Sequence, residues 1–321
     1  MATSMGRSAS VTDTTTQLEV NGTGQRVRLC ASRVGMPPPV LIVQAGPGLP
    51  LLHEVPKFQR LLSLERDFLV AYWDQRGCGN APKRDALYVS WEQQVEDLRA
   101  VLRWLHGESK QPIIVLGISL GASIALTAVA REPGLVKAIV AISPDADAAA
   151  SDAAASAFLH AHAERANNGR LAAKLGKLGE PPYTEPAAFQ LRARLLADLG
   201  AIEHTKTFSA VLKETLFGML RTYGPVGTMK ALRNMNLVQR ALLPELASLT
   251  LLVDPPRVQC PVHFIFGALD PLETPALIAA LPAAIAAPIT TVVIAPEAGH
   301  MVHFDQPGLV RDVVIGARDG A

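Results

Sequence analysis

Ile113-Ile114-Val115-Leu116-Gly117-Ile118-Ser119-Leu120-Gly121 is an unbroken apolar run that ends in a G-x-S-x-G turn, and a helix-compatible stretch, 121–131, follows it. A parallel strand buried on both faces reads as a continuous Val/Ile/Leu run. Small residues on both sides of a serine, directly after such a run, predict a strand that bends sharply into a helix. Glycines two residues to either side let the backbone turn tightly and pack closely. The bend exposes the Ser119 hydroxyl beside a helix N-terminus, whose dipole favours developing negative charge. In that context Ser119 is the candidate nucleophile; the pentapeptide alone would be only a tight turn.

The same alternation extends outward from this stretch. Apolar runs at 40–43, 68–72, 138–142, 262–266 and 291–294 read as further buried strands, and 91–106, 275–281 and 307–316 as helices. In 91–106 the apolar residues Trp91, Val95, Leu98, Leu102 and Leu105 recur at spacings of three and four, as one buried helix face requires. Residues 17–20 and 27–31 around Asn21-Gly22 read as a hairpin, because Asn-Gly suits turn positions with positive φ. Strands alternating with helices predict an α/β fold with a mostly parallel central sheet and helices on both faces. The rhythm breaks between 145 and 254, which is rich in Ala and Leu and shows no strand pattern. Roughly a hundred residues of helix between two strands is no ordinary loop. It reads as an inserted helical cap, so the expected organisation is a tail at 1–16, a core at 17–144 and 255–321, and a cap at 145–254.

Composition narrows the function classes. The chain has 321 residues, 49% of them apolar and 18% charged, with a formal net charge of +1. Disorder is excluded by that balance, and there is no electrostatic footprint for nucleic acid or an anionic membrane. The first 16 residues have no apolar stretch resembling a secretory signal, and no run reaches membrane-span length. Cys30, Cys78 and Cys260 form no C-x-x-C pair and fit a reducing compartment. A soluble, cytoplasmic protein without metal or cofactor is expected, acting on a small molecule or short peptide.

A serine hydroxyl needs a base and an orienting acid to become a nucleophile. Of eight histidines, His300 follows the last strand run in Ala298-Gly299-His300 and falls at the same sheet edge as Ser119. His303 is the competing base, otherwise read as pocket lining. Asp270, on the turn Gly267-Ala268-Leu269-Asp270-Pro271, is the candidate acid, and Asp145, at the exit of the 138–142 strand, is its rival. The order Ser, Asp, His is that of the α/β-hydrolase arrangement. An oxyanion hole needs two backbone N–H groups. Leu120 can supply one and Gly46 the other, the latter from Gln44-Ala45-Gly46-Pro47-Gly48, where Pro47 has no N–H to offer.

Taken together, Gln44–Gly48, Asp74-Gln75-Arg76-Gly77-Cys78-Gly79, Gly117–Gly121, Asp270 and Gly299-His300 resemble the proline iminopeptidase branch of the α/β-hydrolases. That branch carries an H-G-G-P-G oxyanion loop, a D-Q-R-G-x-G segment and a helical cap. The resemblance implies a Ser119, Asp270, His300 triad with Gly46 and Leu120 as oxyanion donors, and Asp74 and Arg76 shaping the loop beneath the site. The chain departs from the branch in two places. Gln44-Ala45 stands where the family has His-Gly. The Trp-x-x-Trp-Glu segment found in the cap of members that release N-terminal proline is absent, for Trp73, Trp91 and Trp104 all precede the cap.

A serine nucleophile implies an ester, lactone or amide substrate and an acyl-enzyme. The cap's Phe208, Phe217 and methionines suggest an apolar pocket. His53 and Glu54, just past the Gly-Pro-Gly loop, are placed to meet substrate, and Glu203, Glu214 and Glu245 are candidates for gripping a substrate cation. Three readings result: a cofactor-independent serine hydrolase of small apolar acyl substrates, a proline iminopeptidase, and a non-catalytic member that binds a small ligand.

Overall fold

A computed structural model of the chain describes residues 12–32 and 37–320. Among these, eight strands form one sheet: β1 (Thr12–Val20), β2 (Thr23–Ala31), β3 (Pro39–Val43), β4 (Leu69–Asp74), β5 (Ile113–Ile118), β6 (Val136–Ile142), β7 (Val262–Gly267) and β8 (Thr290–Ala295). Their spatial order is β1-β2-β4-β3-β5-β6-β7-β8. The β1/β2 and β2/β4 pairs are antiparallel and the other five are parallel. Every apolar run expected to be a strand is one, but β8, expected to be buried, is an edge strand that leaves Val292 and Ile294 exposed.

The N-terminal hairpin is longer than its apolar residues suggest. Thr12–Thr16, expected to belong to a frayed tail, continue β1 and pair with β2, Thr16 opposite Val27 and Thr12 opposite Ala31. These threonines are exposed, so ladder hydrogen bonds and β-branched side chains hold the segment without a hydrophobic signal. Residues 1–11 of that expected tail lie outside the described residues. At the turn, Asn21 and Gly22 have φ of 46° and 79°.

Strand side chains alternate between two cores, as a period of two dictates. Leu41, Val43, Val115, Ile139 and Phe264 pack on one face with helices Trp91–Ser109, Leu120–Ala130 and Pro275–Ala284. Val40, Ile42, Leu116, Val140 and Ile265 pack on the other with helices Val55–Leu61 and Pro307–Asp319. Ser90 and Gln93 close a reciprocal capping box at the start of the Trp91 helix, satisfying N–H groups that a helix end leaves unpaired.

Helices Ala148–Arg165, Gly169–Leu178, Pro186–Asp198 and Phe208–Leu246 fill the chain between β6 and β7. The first three share a core of their own, built from Leu159, Leu171, Leu175, Leu195 and Leu196. The last bends at Gly224, whose φ of 67° and ψ of 176° break the helical path. It is more than a lid. Met219, Tyr223 and Ala231 join one sheet core, and Val238, Leu242 and Leu246 join the other. No helix among the described residues is long and apolar enough to cross a membrane.

Candidate active site

Ser119 sits at the junction of β5 and helix Leu120–Ala130 with φ 52° and ψ −126°. For a residue with a Cβ that conformation costs on the order of 1–3 kcal/mol and persists only when its surroundings enforce it. Close packing enforces it here. A Cβ on Gly117 would lie 2.5 Å from Ala122 Cα, and one on Gly121 would lie 2.3 Å from the Val43 carbonyl oxygen. The N–H of Ser119 donates to the Ile142 carbonyl at 2.8 Å, tying the turn to β6.

Asp270 and His300 come from the turns after β7 and β8, at the same C-terminal sheet edge. Asp270 Oδ1 accepts from the Leu272 N–H at 2.9 Å, which fixes the carboxylate within its own turn. Its Oδ2 lies 2.6 Å from His300 Nδ1, and His300 Nε2 lies 2.9 Å from Ser119 Oγ. An ionised carboxylate only accepts, so Nδ1 carries the imidazole proton and the Nε2 lone pair faces the serine hydroxyl. The alternatives from sequence fall elsewhere. His303 is buried against Phe58 and Phe304, with ring centroids 5.2 and 4.0 Å away, and its Nδ1 has no partner among the described residues. Burial there holds its pKa well below the usual imidazole range. Asp145 lies at the end of β6 beside the cavity and makes no hydrogen bond to the histidine.

Gly46 and Leu120 are neighbours: a Cβ on Gly46 would come within 3.1 Å of Leu120 Cδ2. Neither N–H has a partner among the described residues, whereas the Ala45 N–H is already taken by its neighbour's side chain, Gln44 Oε1, at 3.1 Å. Gln44 Nε2 in turn donates to Glu54 Oε2 at 2.6 Å.

Ser119 and His300 open into a cavity of about 260 Å³. Its walls are mostly apolar, with Leu49, Ile202, Phe208, Met219, Leu243 and Met301 among them. His53, Glu54 and Glu203 also line it, as does His303. Glu203 is not free to grip a ligand: Lys57 and Lys206 hold its two oxygens at 2.6 and 3.2 Å. Three other expected contacts lie off the cavity. The face of the long helix that lines it runs Phe208, Val211, Thr215, Met219, spacings of three and four that define one helical side. Phe217 therefore points to the opposite side and is 63% exposed. Glu214 is turned outward and pairs with Lys206 at 2.6 Å. Glu245 lies far along the helix, where it accepts from the Trp91 N–H at 2.9 Å.

The model of the alpha/beta hydrolase family matches residues 40–313. The chain belongs to the alpha/beta hydrolase family. Among proteins it resembles is the "Probable aminopeptidase YbaC" of Bacillus subtilis (strain 168), 26% identical over 286 residues that cover 85% of this chain and 86% of that protein. The fold is shared with a proline iminopeptidase of Mycobacterium smegmatis (TM-score 0.63, 21% identity, 95% of this chain and 97% of that one). It is shared as well with an enol-lactonase of Burkholderia xenovorans LB400 (TM-score 0.60, 16% identity, 95% and 100%).

Several groups of this alpha/beta hydrolase that reading the sequence did not single out also face the cavity. Glu273, Asp152, Arg192, Ser151 and Tyr183 make one end of it polar, together with Asp145. Arg192 Nη1 donates to Asp152, which also accepts from the Tyr183 N–H at 2.8 Å. Asp145 Oδ1, Ser151 Oγ and Arg192 Nε are buried without a hydrogen-bond partner among the described residues. Burial pushes the Asp145 carboxyl up to about 6, against the pull of Arg192. Burial, with the charges of Asp270 and Asp145, pushes Glu273 well above the usual carboxylate range. Glu273 could have been suspected from its place three residues after Asp270; the cap residues carry no such signal.

The D-Q-R-G-x-G segment lies beneath the site. Asp74 Oδ1 accepts from the N–H groups of Leu51 and Leu52 at 2.7 and 2.9 Å, holding the loop that follows Gly48. The Tyr223 hydroxyl donates to its Oδ2 at 2.8 Å. Arg76 forms a two-pronged pair with Asp97, both contacts at 2.7 Å.

Proposed function

We propose that the protein is a cofactor-independent serine hydrolase that cleaves a small acyl substrate through an acyl-enzyme. The observation that carries this reading is the continuous relay Asp270–His300–Ser119, at 2.6 and 2.9 Å, ending on a serine in a strained turn. In the proposed reaction Ser119 Oγ attacks the acyl carbon while its proton passes to His300 Nε2. Asp270 keeps the imidazole in the required tautomer and stabilises the imidazolium. The N–H groups of Gly46 and Leu120 stabilise the oxyanion. Collapse of the tetrahedral intermediate breaks the bond to the leaving group, which takes the proton from His300. Water, deprotonated by the same histidine, then releases the acid and restores Ser119. The apolar walls suit a hydrophobic acyl portion.

A second reading, an aminopeptidase, is favoured by one feature, the carboxyls of Asp145, Asp152 and Glu273 at the polar end of the cavity. A substrate ammonium there would be an alternative partner for Asp145 and Glu273, which burial otherwise drives toward neutrality. Labelling by a fluorophosphonate probe tests the mechanism: the native protein should label and Ser119→Ala should not. Labelling that survives the substitution removes Ser119 as nucleophile. Comparing 4-nitrophenyl esters with aminoacyl-naphthylamides, with Ser119→Ala as blank, separates the two substrate readings.

A further inference from the structure

Beside the catalytic cavity lies a second, larger groove of about 710 Å³, and the two share His53, Glu54 and Thr215 as a common wall. The groove is basic in a chain that is nearly neutral. Arg26, Arg28, Lys57, Arg60 and Arg221 line it against only Glu54 and Glu214. Some of this charge is neutralised locally. Asp13 grips Arg28 through two contacts of 2.7 Å, and Lys57 is 2.6 Å from Glu203 and 3.7 Å from Glu214. Arg26, Arg60 and Arg221 have no ion-pair partner within 4 Å among the described residues. Arg26 lies over the Tyr223 ring at 5.8 Å, and Arg221 over the exposed Phe217 ring at the same distance.

His53 supplies a separate observation. It is 6% exposed, and neither ring nitrogen has a hydrogen-bond partner among the described residues. A buried imidazole left unpaired is costly unless something else completes it. This one stands in the wall between the reacting serine's cavity and the arginine groove. Guanidinium groups are planar forks that match the two oxygens of a carboxylate or phosphate.

We propose that the substrate carries an anionic group, a phosphate or carboxylate, at the end remote from the scissile bond, seated among Arg26, Arg60 and Arg221, with the connecting chain passing His53. The proposal rests on the serine-hydrolase reading, and it assigns the groove a role in specificity, not in the chemical step. Apolar cavity and basic groove together then select an amphiphilic substrate, with a hydrophobic acyl end at Ser119 and an anion outside. Phe217, which sequence reading placed in the pocket, becomes part of the groove's floor.

Two matched substrate pairs test this. S-butyryl-N-acetylcysteamine against butyryl-coenzyme A places phosphates on the leaving group. 4-Nitrophenyl hexanoate against the mono-4-nitrophenyl ester of adipic acid places a carboxylate on the acyl group. The anionic member of at least one pair should have kcat/KM about tenfold above its neutral partner at low salt, the order that two or three partly exposed charge pairs supply. That ratio should fall toward one in about 0.5 M NaCl, because exposed pairs are screened. It should also fall toward one in the Arg60→Gln/Arg221→Gln double variant. Which pair responds tells on which side of the scissile bond the anion lies. A ratio near one in both pairs, or one that survives the double substitution, overturns the proposal while leaving the hydrolase reading intact. If no member of either pair is cleaved faster than by Ser119→Ala, the hydrolase reading itself is defeated instead.

Discussion

Asp305 Oδ2 accepts a hydrogen bond at 2.9 Å from the N–H of Gly299, the residue before His300, and the same carboxylate accepts from the His204 N–H at 2.9 Å. One side chain thus ties the histidine turn to the segment that enters the long cap helix. The His300 N–H adds to the link by donating to Ala201 O at 2.9 Å. His300, the proposed base, is held from its backbone as well as through Asp270. Removing the tie in Asp305→Ala should lower kcat by roughly tenfold to a hundredfold with little change in KM, since small misplacements of a catalytic group carry costs of that size. Asp305→Asn, which keeps one acceptor oxygen, should lose less. A fluorophosphonate labelling rate that follows kcat across the two variants would support a positioning role. Loss of thermal stability with an unchanged rate per folded molecule would refute it.

The two histidines three residues apart should behave differently. His300→Ala removes the only imidazole within hydrogen-bond reach of Ser119 Oγ among the described residues, and losses of about 10⁴-fold or more in kcat are usual when a triad member is removed. His303→Phe substitutes an aromatic ring among aromatic rings and deletes a buried nitrogen that has no partner among the described residues. It should cost less than tenfold and leave thermal stability unchanged or raised. A loss below tenfold for His300→Ala, measured on a 4-nitrophenyl ester, would mean another group is the base.

The same comparison shows why some of the candidate site is legible in the chain and some is not. Ser119, Asp270 and His300 each lie within five residues of the C-terminal end of a strand, so a local pattern of apolar run, small residues and polar residue marks them. The shared C-terminal edge of a parallel sheet brings them together across 151 and 30 residues of sequence (270 − 119 and 300 − 270). Asp152, Arg192 and Tyr183 have no such marker, because their meeting depends on how two helices between β6 and β7, and the loop that leads into the second, pack together. Phe217 and Glu214 were misplaced for a related reason: helix periodicity gives relative angles, and only the neighbouring elements decide which side faces the cavity. Glu245 shows the limit of residue type as a guide, since its carboxylate satisfies a helix-end N–H.

Gly121 offers a test of the turn itself. A methyl group there would meet the carbonyl oxygens of Val43 and Gln44 at 2.3 and 2.4 Å, both of them backbone atoms that cannot swing away. Gly121→Ala must therefore push helix Leu120–Ala130 off β3 and shift Leu120 and Gly46 apart. A destabilisation of about 3 kcal/mol is expected, at the upper end for overpacking. Chemical denaturation measures it, and labelling of Ser119 in the fraction still folded should slow as well. Near-native stability would show that the strand-to-helix junction is looser than this packing implies.

The polar end of the cavity predicts how stability depends on pH. Asp145 has its carboxyl pushed up to about 6 by burial, whereas in the unfolded chain it should titrate near ~4. Between those values the folded state holds a proton that the unfolded state has released. Stability from this group therefore falls as pH rises from about 4 to about 6 and stays at its lower level above. Glu273, shifted in the same direction, adds to the trend. Asp145→Asn keeps the neutral shape at every pH. Its advantage over the native protein should be small near pH 4 and grow to at most about 3 kcal/mol by pH 7.5, the equivalent of a two-unit shift. Denaturant titrations of both proteins across that range check the sign. An advantage that stays constant with pH, or shrinks as pH rises, would mean that Asp145 is ionised in the folded protein throughout and is matched by a cation, with Arg192 the nearest candidate.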